Sequence, residues 1–398
     1  MSVYLIVGNG MAGTTAAENI RKRDKNGKIT MVTDEDLPFY YRIRLNEYIS
    51  GEIGEQDLLA KRAHWYGDMN IDLKLNTRIA GAAPGEKAVY TSDNVKLSYD
   101  SLLIATGSHS FIPPVKGSEK PGVFSLRDVR DARRIIDYAK DVEDTLIIGG
   151  GLLGLESGRA LRKLGKKVMV VEFFPRLLPR QLDEDGAKRL QIIMEGMGFS
   201  FRLGSRTEEI EGADKVAGIR LEGGEILSSE MVIISAGVRP NLDLAASLDL
   251  DRDKGIKVND HLLTSLPGIY AAGDVAEYKG IPYGIWPAAM EQGEIAGANM
   301  AGEDRIYRGT PMATTLKVVG IDLASAGDID AEGAHESKIF SDGNMYKKIV
   351  LDQDRIIGCI MLGDKKGFNR ITKVMAEKKD VSRIKDQILT QGFDFGTL

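Results

Sequence analysis

Two stretches of this chain carry the same order of apolar and polar positions. An unbroken apolar run over residues 3–7 meets the glycine-rich turn GNGMAG, then a helical pattern over 12–23 and a second apolar run over 29–33. The order recurs with an apolar run over 145–148, the turn GGGLLG, a helical pattern over 155–164 closed by Gly165, and an apolar run over 167–171. The strand segments show no polar alternation, as expected of parallel strands covered by helices on both faces. Each copy opens a βαβ unit, so the repeat predicts two domains of one kind.

Further along, YDSLLIATGSHSFIPPVKG reads as a strand ending in ATG followed by a linker through Pro113 and Pro114. SSEMVIISAGVRPN ends a strand in AGxRPN, and GIYAAGDVAEY ends another in AGD. From about residue 308 the pattern shortens, and YKKIVLDQDRIIGCIML predicts a strand, a Gln-Asp turn region and a second strand. The expected fold class is α/β, with two Rossmann-like dinucleotide-binding domains and a C-terminal α+β domain. The expected bounds are 1–112 and 240–307 for a discontinuous first domain, 113–239 for the second and 308–398 for the third.

The two turns share the GxGxxG spacing: Gly8, Gly10 and Gly13, then Gly149, Gly151 and Gly154, 141 positions apart (149 minus 8). Glycines there let the backbone approach a pyrophosphate, while the following helix offers unpaired N–H groups and the positive end of its dipole. Each turn is also followed by an acid at the end of the next strand. Glu172, 23 positions beyond Gly149, can accept both ribose hydroxyls and would repel a 2′-phosphate, which favours NADH over NADPH. In the first copy the acid is Asp34 or Glu35. Two dinucleotide sites in one chain suggest a flavin working beside a nicotinamide, one resident and one transient.

Composition narrows the function. A formal charge of −5 and a pI near 5.6 argue against a general binder of nucleic acid or anionic membrane. No apolar run is long enough to span a bilayer, and the apolar start MSVYLIV lacks a basic leader and reads as a buried strand. The lone Cys359 cannot form an intrachain disulfide, and the four histidines show no metal-ligand spacing, so no metal is expected and a reducing cytoplasm is the simplest compartment.

The ordered motifs GNGMAG, LLIATGS, GGGLLGLE, ISAGVRPN and GIYAAGDVAEY resemble the FAD-dependent pyridine nucleotide-disulfide oxidoreductase superfamily across essentially the whole chain. FYYRIRLNEYISG is most similar to NADH:rubredoxin oxidoreductases and the flavin-binding part of assimilatory nitrite reductases. That resemblance implies FAD at the first turn and NADH at the second. Thr106 and Gly107 would lie close to the FAD, Asp274 would bond its ribityl chain or cap a helix, and Gly237 would line the NAD site. Glu156, the second residue of the expected NAD helix, resembles the superfamily glutamate that positions the nicotinamide carboxamide; an ordinary first-turn acid is the alternative. Arg42 and Arg44 would contact FAD phosphate or a partner, or form a surface salt bridge.

A helix is expected to begin after Pro287, with small residues at Ala288, Ala289, Gly293, Ala296 and Gly297 serving close packing or a dipole aimed at the flavin, and with Trp286 near the ring. The disulfide-reducing branches carry a redox cysteine near position 45, and this chain has none there; Cys359 reads as a core residue. The iron–sulfur and sirohaem portion of nitrite reductases has no counterpart here either. The expectation is therefore a monomeric or homodimeric flavoprotein passing hydride from NADH to FAD and then single electrons to a small redox protein such as rubredoxin. An NADH oxidase making peroxide, or a flavin subunit acting through assembly, are the alternatives.

Overall fold

Parallel sheets form where the chain supplies continuous apolar strands separated by covering helices, and the chain does this twice. The computed structural model describes residues 1–310, 313–330, 332–390 and 392–398, and of residues 313–318 the backbone alone. It contains two compact units, Met1–Arg44 with Ile53–His109 and Val238–Pro311, and Leu45–Glu52 with Ser110–Gly237 and Met312–Leu398.

The first unit holds a parallel sheet ordered Ile269–Ala271, Ser101–Ile104, Val3–Val7, Lys28–Val32, Ile71–Lys74. Leu5, Ile6, Leu102, Leu103 and Ile104 in its centre are fully buried, as strands covered on both faces require. The second unit repeats the arrangement with Val123–Phe124, Met231–Ile234, Asp144–Ile148, Lys167–Val171 and Phe199–Arg202. Each unit also inserts a three-stranded antiparallel sheet after its fifth-ranked strand: Ile79–Ala83, Ala88–Thr91 and Lys96–Ser98 in the first, and Thr207–Glu211, Gly218–Leu221 and Ile226–Ser228 in the second.

Both phosphate helices start earlier than the apolar pattern suggests, at Met11–Arg23 and Leu152–Lys163. Gly10 and Gly151 are the N-caps, and their carbonyls accept the first helical N–H groups, from Thr14 and Leu155, each at 3.0 Å. The helix Trp286–Met300 lies against Met11–Arg23 so closely that a Cβ on Gly293 would sit 2.4 Å from the Ala12 carbonyl oxygen, and one on Gly297 2.4 Å from that of Ala16. Close helix packing thus accounts for those two small residues.

The C-terminal sheet runs Ala313–Val318, Ile321–Gly327, Arg355–Leu362, Met345–Asp352, Glu336–Asp342, antiparallel throughout. Helix Phe368–Ala376 covers one face through Phe368, Ile371 and Val374. Cys359 is 0% exposed within that core, opposite Ile349 on the neighbouring strand, and burial pushes its thiol up to about 12. It is a core residue, held as the thiol rather than the reactive thiolate. Among the described residues no helix is long and apolar enough to cross a membrane.

Candidate dinucleotide sites

The two glycine turns have the same geometry. Gly8 and Gly149 take φ of +119° and +118°, a region that L side chains rarely adopt, and each donates its N–H at 2.8 Å to the end of the neighbouring strand, at Val32 and Val171. A Cβ on either would collide with backbone, 2.0 Å from the Ala105 oxygen or 2.2 Å from that of Ser235. Gly10 and Gly151 are the reverse case: a Cβ on either meets nothing within 4 Å. Bare backbone therefore faces open space at a helix N-terminus in both units, which is what a pyrophosphate needs. Gly13 and Gly154 return to touch the turn, 2.0 and 2.1 Å from the carbonyls of Gly8 and Gly149 if given a Cβ.

In the first unit the turn contains Asn9, 9% exposed, whose Oδ1 accepts from the Tyr66 hydroxyl at 2.9 Å. Among the described residues its Nδ2 is buried without a hydrogen-bond partner. A buried amide donor left over in a phosphate turn fits an anionic ligand there, because an unpaired donor is costly. Of the two candidate acids, Asp34 is exposed and Glu35 is buried. Glu35 accepts from the Tyr40 hydroxyl at 2.5 Å and pairs with Arg42, whose guanidinium also lies 5.2 Å from the Tyr40 ring. Arg42 is thus in a salt bridge, but with a buried acid rather than a surface one. Arg44 donates to the Asp57 carbonyl at 3.0 Å.

Asp274 sits in the turn between strands Ile269–Ala271 and Ala276–Tyr278, so no helix starts there for it to cap. Its Oδ2 accepts from the Ser108 hydroxyl at 2.8 Å, joining the AGD and ATGS segments across 166 positions. Thr106 and Gly107 belong to the same junction: Asn241 donates to the Thr106 carbonyl at 2.7 Å, and its own N–H reaches Gly107 at 3.0 Å. Gln292, 0% exposed and absent from the sequence-based candidates, accepts the Gly273 N–H at 2.8 Å and so braces the residue before Asp274. The sequence signal for it is a polar residue at position 292 directly before Gly293, among the small residues of that helix. Trp286 stacks on Tyr41 at 5.6 Å between centroids, with Phe39 at 6.2 Å.

In the second unit a cleft of about 780 Å³ is lined by Gly149, Gly151, Leu152, Leu153, Glu172 and Gly237 among others. That volume suits a small-molecule cofactor. Glu172 is 7% exposed, and its two carboxylate oxygens accept the backbone N–H groups of Gly150 and Phe174, the latter at 2.8 Å. Each oxygen keeps a further lone pair. Phe173 and Phe174, 63% and 49% exposed, flank it as an apolar wall.

Glu156 is the fifth residue of its helix, not the second, because the helix begins at Leu152 directly after its glycine cap. The first-turn-acid alternative is therefore excluded. Burial pushes its carboxyl above the ordinary range, while a 2.6 Å hydrogen bond from the Val319 N–H and the charge of Arg159 pull the other way. Among the described residues, Leu152 and Leu153 of the same helix line the Glu172 cleft and Glu156 does not.

Two dinucleotide-type cradles on two repeated α/β units, followed by an antiparallel C-terminal sheet, define a flavoprotein-type oxidoreductase architecture. The chain belongs to the pyridine nucleotide-disulphide oxidoreductase family, which matches residues 2–293 and whose members use FAD and NAD(H). Residues 311–379 match the rubredoxin NAD+ reductase C-terminal domain. The nitrite reductase [NAD(P)H] of Bacillus subtilis strain 168 is 37% identical over 382 residues, covering 95% of this chain and 48% of that protein. The assimilatory nitrate reductase electron transfer subunit of the same organism is 33% identical over 97% of this chain and 50% of its own length, so the chain spans about half of these curated relatives. The NADH-rubredoxin oxidoreductase of Clostridium acetobutylicum is 34% identical, with 96% of each chain covered. The crystal structure of NADH:rubredoxin oxidoreductase from that organism superimposes with a TM-score of 0.84 at 32% identity, covering 97% of this chain and 98% of that one.

Proposed function

We propose that the chain is an NADH-dependent flavoprotein reductase that delivers electrons to a small one-electron carrier, with a rubredoxin as the acceptor. FAD, when bound, supplies the chemistry that links a two-electron hydride donor to a one-electron acceptor. The observation that carries this reading is the pair of open glycine cradles in a chain whose one cysteine is sealed in the C-terminal core. No thiol stands in residues 39–51, where the disulfide-reducing relatives carry theirs, so electrons leave for an outside acceptor rather than a protein disulfide.

The roles of this chain's own groups follow from their chemistry. The Gly8–Gly13 turn, with the spare Asn9 amide, holds the FAD pyrophosphate; Glu35 stands at its ribose beside Arg42, and Asp274 and Thr106–Gly107 hold the ribityl side. Trp286 packs by the ring system. The Gly149–Gly154 turn holds the NADH pyrophosphate, Glu172 the adenosine ribose, Gly237 the opposite wall, and Glu156 the nicotinamide amide. The domain bounds 1–112 with 240–307, 113–239 and 308–398 belong to the same proposal. A second reading, an NADH oxidase, is supported by the Methanocaldococcus jannaschii NADH oxidase, 30% identical over 92% of this chain and 89% of that protein.

Anaerobic reduction of the purified yellow protein by NADH, followed by rapid mixing with rubredoxin, ferredoxin or oxygen, separates the readings. Reoxidation by rubredoxin at least tenfold faster than by oxygen supports the reductase. Oxygen as the fastest acceptor supports the oxidase instead, and a chain that binds no flavin overturns both.

A further inference from the structure

Strands Ala313–Val318 and Ile321–Gly327 pair with Val318 opposite Ile321, which leaves Val319 and Gly320 as a two-residue hairpin turn. Both have positive φ, +54° and +86°. Turns of this kind match the twist of a hairpin and are ordinarily filled by Asn-Gly or Asp-Gly. The neighbouring tight turn of the same sheet takes the same pair of left-handed φ values at Gln353 and Asp354, +46° and +58°, with side chains that are not β-branched. A β-branched residue in the left-handed region is a genuine outlier. Backbone strain persists where the surroundings over-determine it, and it gathers at functional sites.

What over-determines Val319 is visible. The residue is 5% exposed, and its N–H donates at 2.6 Å to Oε1 of Glu156, 163 positions away. Glu156 itself is 17% exposed. Arg159 on the same helix approaches Oε2 only to 4.0 Å and is shared with Glu52 at 3.7 Å, which Lys163 also holds. Helix Leu45–Ile49 adds Glu47, and both Glu47 and Glu52 raise the Glu156 carboxyl further. Among the described residues, the Val319 N–H is therefore the one short hydrogen bond on this carboxylate.

We propose that the Val319–Gly320 turn is a positioning element for NADH, fixing Glu156 through Oε1 so that Oε2 is presented to an amide N–H of the nicotinamide. This rests on the role of Glu156 given above and assigns the C-terminal module a part in hydride-donor binding. A β-branched residue stands in the turn against its own backbone preference, and moving the turn would release the carboxylate.

The test is stopped-flow reduction of the holoenzyme by NADH, read as apparent Kd and limiting rate, with melting temperature alongside. Val319→Pro removes the donor and cannot take a positive φ. A glycine inserted after Gly320 moves the same N–H away without proline, and serves if the proline variant fails to fold. Either change is expected to raise Kd for NADH about tenfold, the scale of one charge-assisted hydrogen bond, with the limiting rate within roughly threefold. The acid limb of the pH profile should move upward, because a cause that lowers the Glu156 carboxyl has gone. Val319→Asn keeps the donor and suits the left-handed turn, so it should restore the wild-type Kd that the proline and insertion variants lose, even where burying its amide lowers Tm.

Combined with Glu156→Gln, the proline or insertion variant should add less than about twofold to the effect of Glu156→Gln alone, as expected for groups acting as one unit. A folded turn variant with wild-type Kd and pH profile, or multiplying effects in the double variant, overturns the proposal. Wild-type NADH binding by Glu156→Gln instead removes the role of Glu156 on which it rests, which separates the two failures.

Discussion

Gly149 and Gly151 stand two residues apart in one turn, yet substitution by alanine should act on different quantities. In Gly149→Ala the new Cβ lies 2.2 Å from the Ser235 oxygen at a φ of +118°, so the turn must move or the strand behind it must. The strained backbone and overlap together cost about 3 kcal/mol. In Gly151→Ala the φ is −79° and nothing lies within 4 Å, so folding loses only about 0.5 kcal/mol from a poorer N-cap. The methyl instead occupies the space where backbone and pyrophosphate would meet. Losing one charge-assisted bond of about 1.5–3 kcal/mol raises KM for NADH by roughly 10- to 100-fold. The assay pairs urea unfolding of the flavin-bound protein with NADH titration of flavin reduction. Gly149→Ala should lose stability, while Gly151→Ala should keep stability and flavin content and lose NADH affinity. An unchanged KM in Gly151→Ala, or equal destabilisation by both, would refute the assignment of open backbone to phosphate binding. Gly10→Ala is the control in the other unit, expected to weaken flavin retention and leave NADH affinity per bound flavin intact.

Three further outcomes are expected. Glu172→Arg should shift the NADH/NADPH preference in kcat/KM toward NADPH by at least tenfold, since it exchanges a carboxylate for a guanidinium where the ribose would lie; unchanged preference speaks against Glu172 at that position. Cys359→Ser should lower stability by about 1–2 kcal/mol by placing a hydroxyl in an apolar core, with turnover per bound flavin unaltered; lost turnover in the folded variant would reveal a redox role for the thiol. Lys348, 5% exposed, lies 3.2 Å from Asp183, which also accepts from the Tyr346 hydroxyl at 2.6 Å. Lys348→Met strands that buried carboxylate and should cost about 3 kcal/mol in urea unfolding, whereas a loss under about 1 kcal/mol would mean that the pair contributes little.

Much of this protein is legible in its sequence because the relevant interactions are local. A GxGxxG turn needs its glycines within six residues, and a covered parallel strand shows as a short unbroken apolar run, so both βαβ openings can be read directly, as can the apolar but antiparallel strand that carries Cys359. The apolar pattern places the starts of both phosphate helices late, because the cap is set by a glycine carbonyl that the pattern does not register. Only the tertiary structure distinguishes Asp34 from Glu35: the two are adjacent and chemically alike, but Asp34 is exposed and Glu35 is buried against Tyr40 and Arg42. The same holds for Asp274 bound to Ser108, Gln292 bracing Gly273, and Glu156 held by Val319. Short-range spacing encodes which cradles the chain builds. How these side chains are held depends on contacts between segments far apart in the chain, whose free energy exists only once the sheets have closed.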